Sequence, residues 1–72
     1  MQYDYNALKG LIREKFQTNC AFALAIGLSE RSLSLKLNNK VPFKQPQIDK
    51  AAEVLNLKPE QIPKYFFNVE VQ

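Results

Sequence analysis

The sequence predicts an all-α fold, a compact bundle of about five short helices with an extended C-terminal tail. Three observations carry that expectation. Apolar residues recur at three- and four-residue spacing in the main segments, the mark of helices with one buried face. Residues that cap or break helices, among them Thr18, Gly27, Ser29, Pro46, Pro59 and Pro63, stand at the ends of those segments or in their first turns. Strand-like alternation occurs in only two places, and one of these reads better as helix.

The first helix follows Asp4, a good capping residue, and sets Leu8, Leu11, Ile12 and Phe16 at helical spacing within "DYNALKGLIREKF". The second, in "TNCAFALAIG", takes Thr18 as its cap and turns Phe22, Ala25 and Ile26 to one face. It stops at Gly27, which can adopt the left-handed conformation that ends helices. In "SERSLSLKLNN" the leucines at 33, 35 and 37 alternate as in a half-buried strand. Three features outweigh the alternation. Ser29 is a preferred N-cap with Leu28 and Leu33 at the spacing of a hydrophobic staple. No β-branched residue separates the leucines, and Asn38, Asn39 and Lys40 suit a helix stop. A third helix is therefore expected over residues 30–38. At about 100° per residue, Leu33 and Leu37 face inward, while Arg31, Ser34, Leu35 and Asn38 face outward with Glu30 at their edge.

The fourth helix is the clearest: Pro46 occupies a tolerated first-turn position, and Ile48, Ala51, Ala52 and Leu55 form one stripe. Pro59 and Pro63 restrict "KPEQIPKYFFN" to one or two short turns, and "FFNVEVQ" reads as the extended tail.

Seventy-two residues make a single domain, 1–72, in which 46% hydrophobic and 24% charged residues are ordinary for a folded globule. A chain of this size buries only about 60% of its unfolded surface, so it has room for one core. No apolar run approaches a membrane span, and the start "MQYDY" is unlike a signal peptide, which places the chain in the cytoplasm. One cysteine and no histidine exclude an internal disulfide, the usual metal sets and His-assisted nucleophiles. The carboxylates are scattered, so neither an enzyme nor a cofactor is expected. The net charge of +3 is unevenly spread: Arg31, Lys36, Lys40 and Lys44 oppose only Glu30 between residues 30 and 44. A local basic excess fits a polyanion partner or a plain solvated face.

Two helices joined at Gly27, the second presenting small polar and basic residues, have the organisation of a helix-turn-helix over about residues 18–38. "NCAFALAIGLSERSLSLKLN" resembles that motif throughout, with Ala23 where the helices cross, Gly27 in the turn, and Phe22, Ile26, Leu28, Leu33 and Leu37 inside. With helices before and after, the chain resembles the Cro/repressor family of phage regulators from about Tyr5 to Phe67. The stretches "DYNALKGLIREKFQT", "SLSLKLNNKVPF" and "YFFNVEVQ" also look like small Cro-like proteins of Gram-positive phages, including the modulator-of-repression (antirepressor) proteins of lactococcal temperate phages. The chain departs from the general family pattern at Asn39, where glycine is usual, and at Lys36, where a buried apolar residue is usual. The first departure is expected to change little. The second implies a lysine stem snorkelling from a partly covered position.

The resemblance implies a sequence-specific transcriptional regulator acting on double-stranded operator DNA in the lytic/lysogenic choice of a phage, within the bacterial host. Mapped onto this chain, Arg31 would read guanine, Ser29, Glu30 and Ser34 would add hydrogen bonds, and Leu35 would meet a thymine methyl. Thr18, Asn19, Asn38, Lys40 and Lys44 would contact phosphates. Cys20 is assigned to packing, and Asn6, Lys9 and Arg13 to plain surface. A homodimer is expected to use Tyr65, Phe66, Phe67, Val69 and Val71, although for at least one of Phe66 and Phe67 closure into the core of so small a bundle is the better reading. The alternative is an antirepressor that binds the phage repressor protein through the helix around Glu30, Arg31 and Leu35, because an acid disfavours phosphate and a protruding leucine suits a protein interface.

Overall fold

The computed structural model describes residues 2–69, and every named element among them is helical. These are α1 (Asn6–Phe16), α2 (Asn19–Ala25), α3 (Glu30–Leu37), α4 (Gln45–Leu55) and α5 (Ile62–Phe66), with a 3-10 turn at Pro59–Gln61 leading into α5. The all-α class and the five-helix bundle are as the periodicity indicates. No helix among the described residues is long and apolar enough to cross a membrane.

Local chemistry accounts for most boundaries. α1 begins later than a cap at Asp4 implies: Tyr5 occupies the N-cap position without a side-chain bond. Asp4 still serves the first turn, because its Oδ1 accepts the Asn6 N–H at 2.9 Å. Thr18 caps α2 as its position suggests, its Oγ1 accepting the Ala21 N–H at 3.1 Å. α4 buries Ile48, Ala51, Ala52 and Leu55, the four residues of its apolar stripe. Its entry is fixed by Gln47, whose Oε1 accepts the Lys44 N–H at 2.9 Å, and its exit by Asn56 in the left-handed region.

The core gathers Leu8 and Ile12 of α1, Phe22 of α2, Leu33 of α3, Leu55 of α4 and Phe66 of α5, all essentially without solvent exposure. Five-residue α5 is far too short to hold itself together in water. Edge-on aromatic packing anchors it: Phe43 lies 5.3 Å from Phe66 and 5.6 Å from Tyr5, centroid to centroid. Burial of Phe66 removes it from the expected dimer face, as closing a core this small requires every large aromatic that can reach it. Tyr65 is half-buried against the same core, Phe67 and Val69 are exposed, and Val71 lies outside the described residues. The described part of the tail is tied down, with Val69 paired as an isolated antiparallel bridge to Tyr3 and the Asn68 carbonyl accepting the Asp4 N–H at 2.6 Å.

Two expectations need correction. Lys36 is buried, not partly covered, at 5% exposure, and its Nζ donates to the Pro42 carbonyl at 3.3 Å. The stem packs inside while the amine finds an acceptor in the loop that follows, so no open route to solvent is needed. Asn39, expected to change little in place of glycine, is a structural clamp. It takes φ +63°, its Nδ2 donates to the Tyr3 carbonyl, and its Oδ1 accepts the Tyr3 N–H, both at 2.9 Å. Asparagine tolerates the left-handed conformation and adds an amide that glycine lacks. Tyr3 is thereby held on one side by Val69 and on the other by a side chain that mimics a neighbouring strand.

Burial raises the phenol pKa of Tyr5 above its usual 10.0, with a smaller push from Tyr3. An acid whose folded pKa is raised stabilises the fold below its unfolded pKa and loses that contribution as pH climbs past it.

Two outcomes follow from these contacts. Asn39→Gly keeps the left-handed turn but loses both hydrogen bonds, and should cost about 1–2 kcal/mol in urea unfolding; unchanged or increased stability would show that the clamp contributes nothing. Over the interval from about pH 9 to 11, the unfolding free energy of the native chain should fall more steeply than that of Tyr5→Phe. Parallel profiles would remove Tyr5 from the account.

Candidate functional site

α2 and α3 meet at a tight turn whose geometry is set by a few backbone contacts. Ile26 closes α2, the Gly27 N–H donates to the Leu24 carbonyl at 3.2 Å, and the Leu28 N–H donates to the Ala23 carbonyl at 2.8 Å. Gly27 takes φ +77°, yet a Cβ there would meet nothing within 4 Å. Backbone conformation, not lack of room, is what calls for glycine at this point. Ser29 then caps α3, its Oγ accepting the Ser32 N–H at 3.1 Å.

From that start, α3 buries Leu33, Lys36 and Leu37 and turns Glu30, Arg31, Ser34, Leu35 and Asn38 to solvent. Leu35 is the exposed leucine of the alternating run, at 38%. It lines an open groove of about 360 Å³ together with Glu30, Arg31, Ser34 and, from α2, Asn19. Four of the five side chains expected to read bases are thus brought together; the fifth, Ser29, has its oxygen engaged in the helix cap.

The residues expected to touch phosphate are more dispersed. Thr18 and Asn19 line a cleft of about 530 Å³ against α1, opposite Lys9 and Arg13. Asn38 lines a third hollow, of about 240 Å³, with Asn39, Asn6 and Lys9, and its Nδ2 lies 3.4 Å from the Ser34 hydroxyl. Lys40 and Lys44 are exposed beyond α3 and line none of these three hollows. Asn19 is common to the α3 groove and the α1 cleft, and Lys9 to the cleft and the third hollow, so the three hollows adjoin one another as a continuous stretch of surface residues.

The profile of a family described as "Protein of unknown function (DUF739)" matches residues 1–69. The chain belongs to this family. Among solved structures, this DUF739 protein is similar to the modulator of repression (MOR) of the temperate bacteriophage TP901-1 from Lactococcus lactis. The two are 57% identical, the match covers 100% of this chain and 97% of that one, and the TM-score is 0.80. No curated protein matches. The continuous face lies wholly within the matched length.

Three surface features of this DUF739 chain escaped the sequence reading. Cys20 is an exposed free thiol, not a packing residue, because the capped start of α2 turns position 20 away from the core. Leu24 is the most exposed large apolar side chain among the described residues, at 75%. Its position signals this: about 200° separates it from Phe22 and from Ile26 around the helix. Lys9 and Arg13, assigned to plain surface, form one wall of the cleft, and their spacing of four on α1 was the available sign. Among the described residues, no group of three or more His, Cys, Asp or Glu side chains is placed to hold a metal ion.

Proposed function

We propose that this chain modulates repression in a temperate phage by binding the phage's repressor protein through the outer face of α3, around Glu30, Arg31 and Leu35. The observation that carries the reading is 57% identity, across the whole chain, to a modulator of repression. The groove supports it chemically. It places one acid, one guanidinium, a hydroxyl and a half-open leucine side by side, a mixture that complements a protein surface. On this reading the chain works by binding in the host cytoplasm, with no catalytic step and no cofactor.

A second reading, operator binding by α2 and α3 as a helix-turn-helix, is favoured by one observation: Arg31 and Ser34 stand together on the exposed face of a helix capped by Ser29. Glu30 opposes it only mildly, since exposed charges across water interact by about 1 kcal/mol or less even at close range. Leu35 weighs more. Burying the open part of a leucine contributes on the order of 1–2 kcal/mol, and a protein partner can enclose it fully.

Titration of the purified repressor of the same phage with this chain separates the readings. Leu35→Ala should weaken the complex about tenfold or more while leaving thermal unfolding unchanged. An unaltered affinity would reject Leu35 as an anchor. Absence of a repressor complex, together with duplex binding that falls steeply with salt, would favour the second reading.

A further inference from the structure

We infer that the cleft between α1 and the start of α2 receives an acidic side chain of the protein partner, so that docking has two points, a cationic one here and a mixed one at α3. This rests on the repressor-binding reading and adds to it the chemistry the partner must present.

The cleft is lined by Lys9, Gly10, Arg13, Gln17, Thr18 and Asn19, two cations and no acid. Lys9 and Arg13 lie four residues apart on α1, so their side chains share one face. Gly10 between them carries no side chain, and even a Cβ there would meet nothing within 4 Å, which leaves the wall open. Among the described residues neither cation is engaged in an ion pair; the pair that forms is Lys50 with Glu53, elsewhere on the surface. Glu14, next to Arg13 in sequence, does not line the cleft.

The α3 groove adjoins the cleft at Asn19, so one partner can touch both. Along the adjoining hollows the charges are Asp4 with Lys9 in the third hollow, Lys9 and Arg13 in the cleft, and Glu30 beside Arg31 in the α3 groove. A nucleic-acid backbone is negative along its whole length, and the segment crossing α3 would meet Glu30. A protein surface can place a carboxylate against Lys9 and Arg13 and a donor or cation against Glu30. On the repressor-binding reading, the two cations of the cleft fit an acidic side chain of the protein partner, with an apolar contact left for Leu35.

The experiment compares the native chain, Lys9→Glu/Arg13→Glu and Lys58→Glu/Lys64→Glu, each titrated calorimetrically against the purified repressor of the same phage. The Lys58 and Lys64 pair changes the net charge equally but lies outside the cleft. The cleft variant should lose affinity about tenfold or more at low salt, with the loss shrinking near 0.5 M salt, while the control binds like the native chain. If the cleft variant is not folded by circular dichroism, Lys9→Gln/Arg13→Gln replaces it and should show a smaller loss of the same sign. Native affinity in the cleft variant overturns the inference and leaves the α3 reading standing. Native repressor affinity combined with weakened retention of duplex DNA overturns it in favour of a phosphate track. If the native chain itself does not bind the repressor, the proposed function fails and this inference falls with it.

Discussion

Phe22 and Leu33, both with no solvent exposure, stand in the core where α2 packs on α3, and the left-handed turn at Gly27 lets the chain bring them there. The rest of the molecule's presented chemistry depends on that packing. An eight-residue helix such as α3 is not stable alone in water. It persists because its inner stripe, Leu33, Lys36 and Leu37, is spent on the core and because Ser29 satisfies its first turn. Loss of one large core side chain typically costs 2–5 kcal/mol, a large share of the stability available to any small domain. The orientation of Arg31 and Leu35 on the outer face is thus a consequence of what lies inward.

The elements were legible where periodicity and capping agree. Ile48, Ala51, Ala52 and Leu55 are inside α4 as their spacing requires, and Thr18 and Ser29 cap the helices they precede. The alternating leucines resolved as helix for the same reason: a cap and a stop bound them, and no partner strand exists for them to pair with among the described residues. What escaped was tertiary. The amide of Asn39 meets Tyr3 across 36 positions of sequence, and no local rule brings those two together. Lys36 is buried because the Pro42 carbonyl happens to return within reach of its amine. Lys9 and Arg13 gain meaning only when α1 is set against the start of α2.

Of the candidate site, the outward face of α3 was readable from helical geometry, since 100° steps separate Leu35 from Leu33 and Leu37. Its role was not, because the same arginine, serine and leucine suit a base edge or a protein surface equally well. The proposed function takes the protein reading because of the 57% identity over the full chain to a modulator of repression. Leu24, turned away from the core residues of its own helix, and Val41 are exposed apolar side chains that lie outside the proposed repressor contact.

On the proposed function, the surface running from the α1 cleft through Asn19 to the α3 groove meets the repressor. The most direct measurement is a backbone amide NMR titration of the isotope-labelled chain with unlabelled repressor. The expected result is perturbation concentrated at Lys9, Arg13, Asn19, Glu30, Arg31, Ser34 and Leu35, with Lys50, Lys58 and Phe67 undisturbed. Perturbations centred on Phe67 and Val69, or on Leu24, with the α3 groove unaffected, would contradict it.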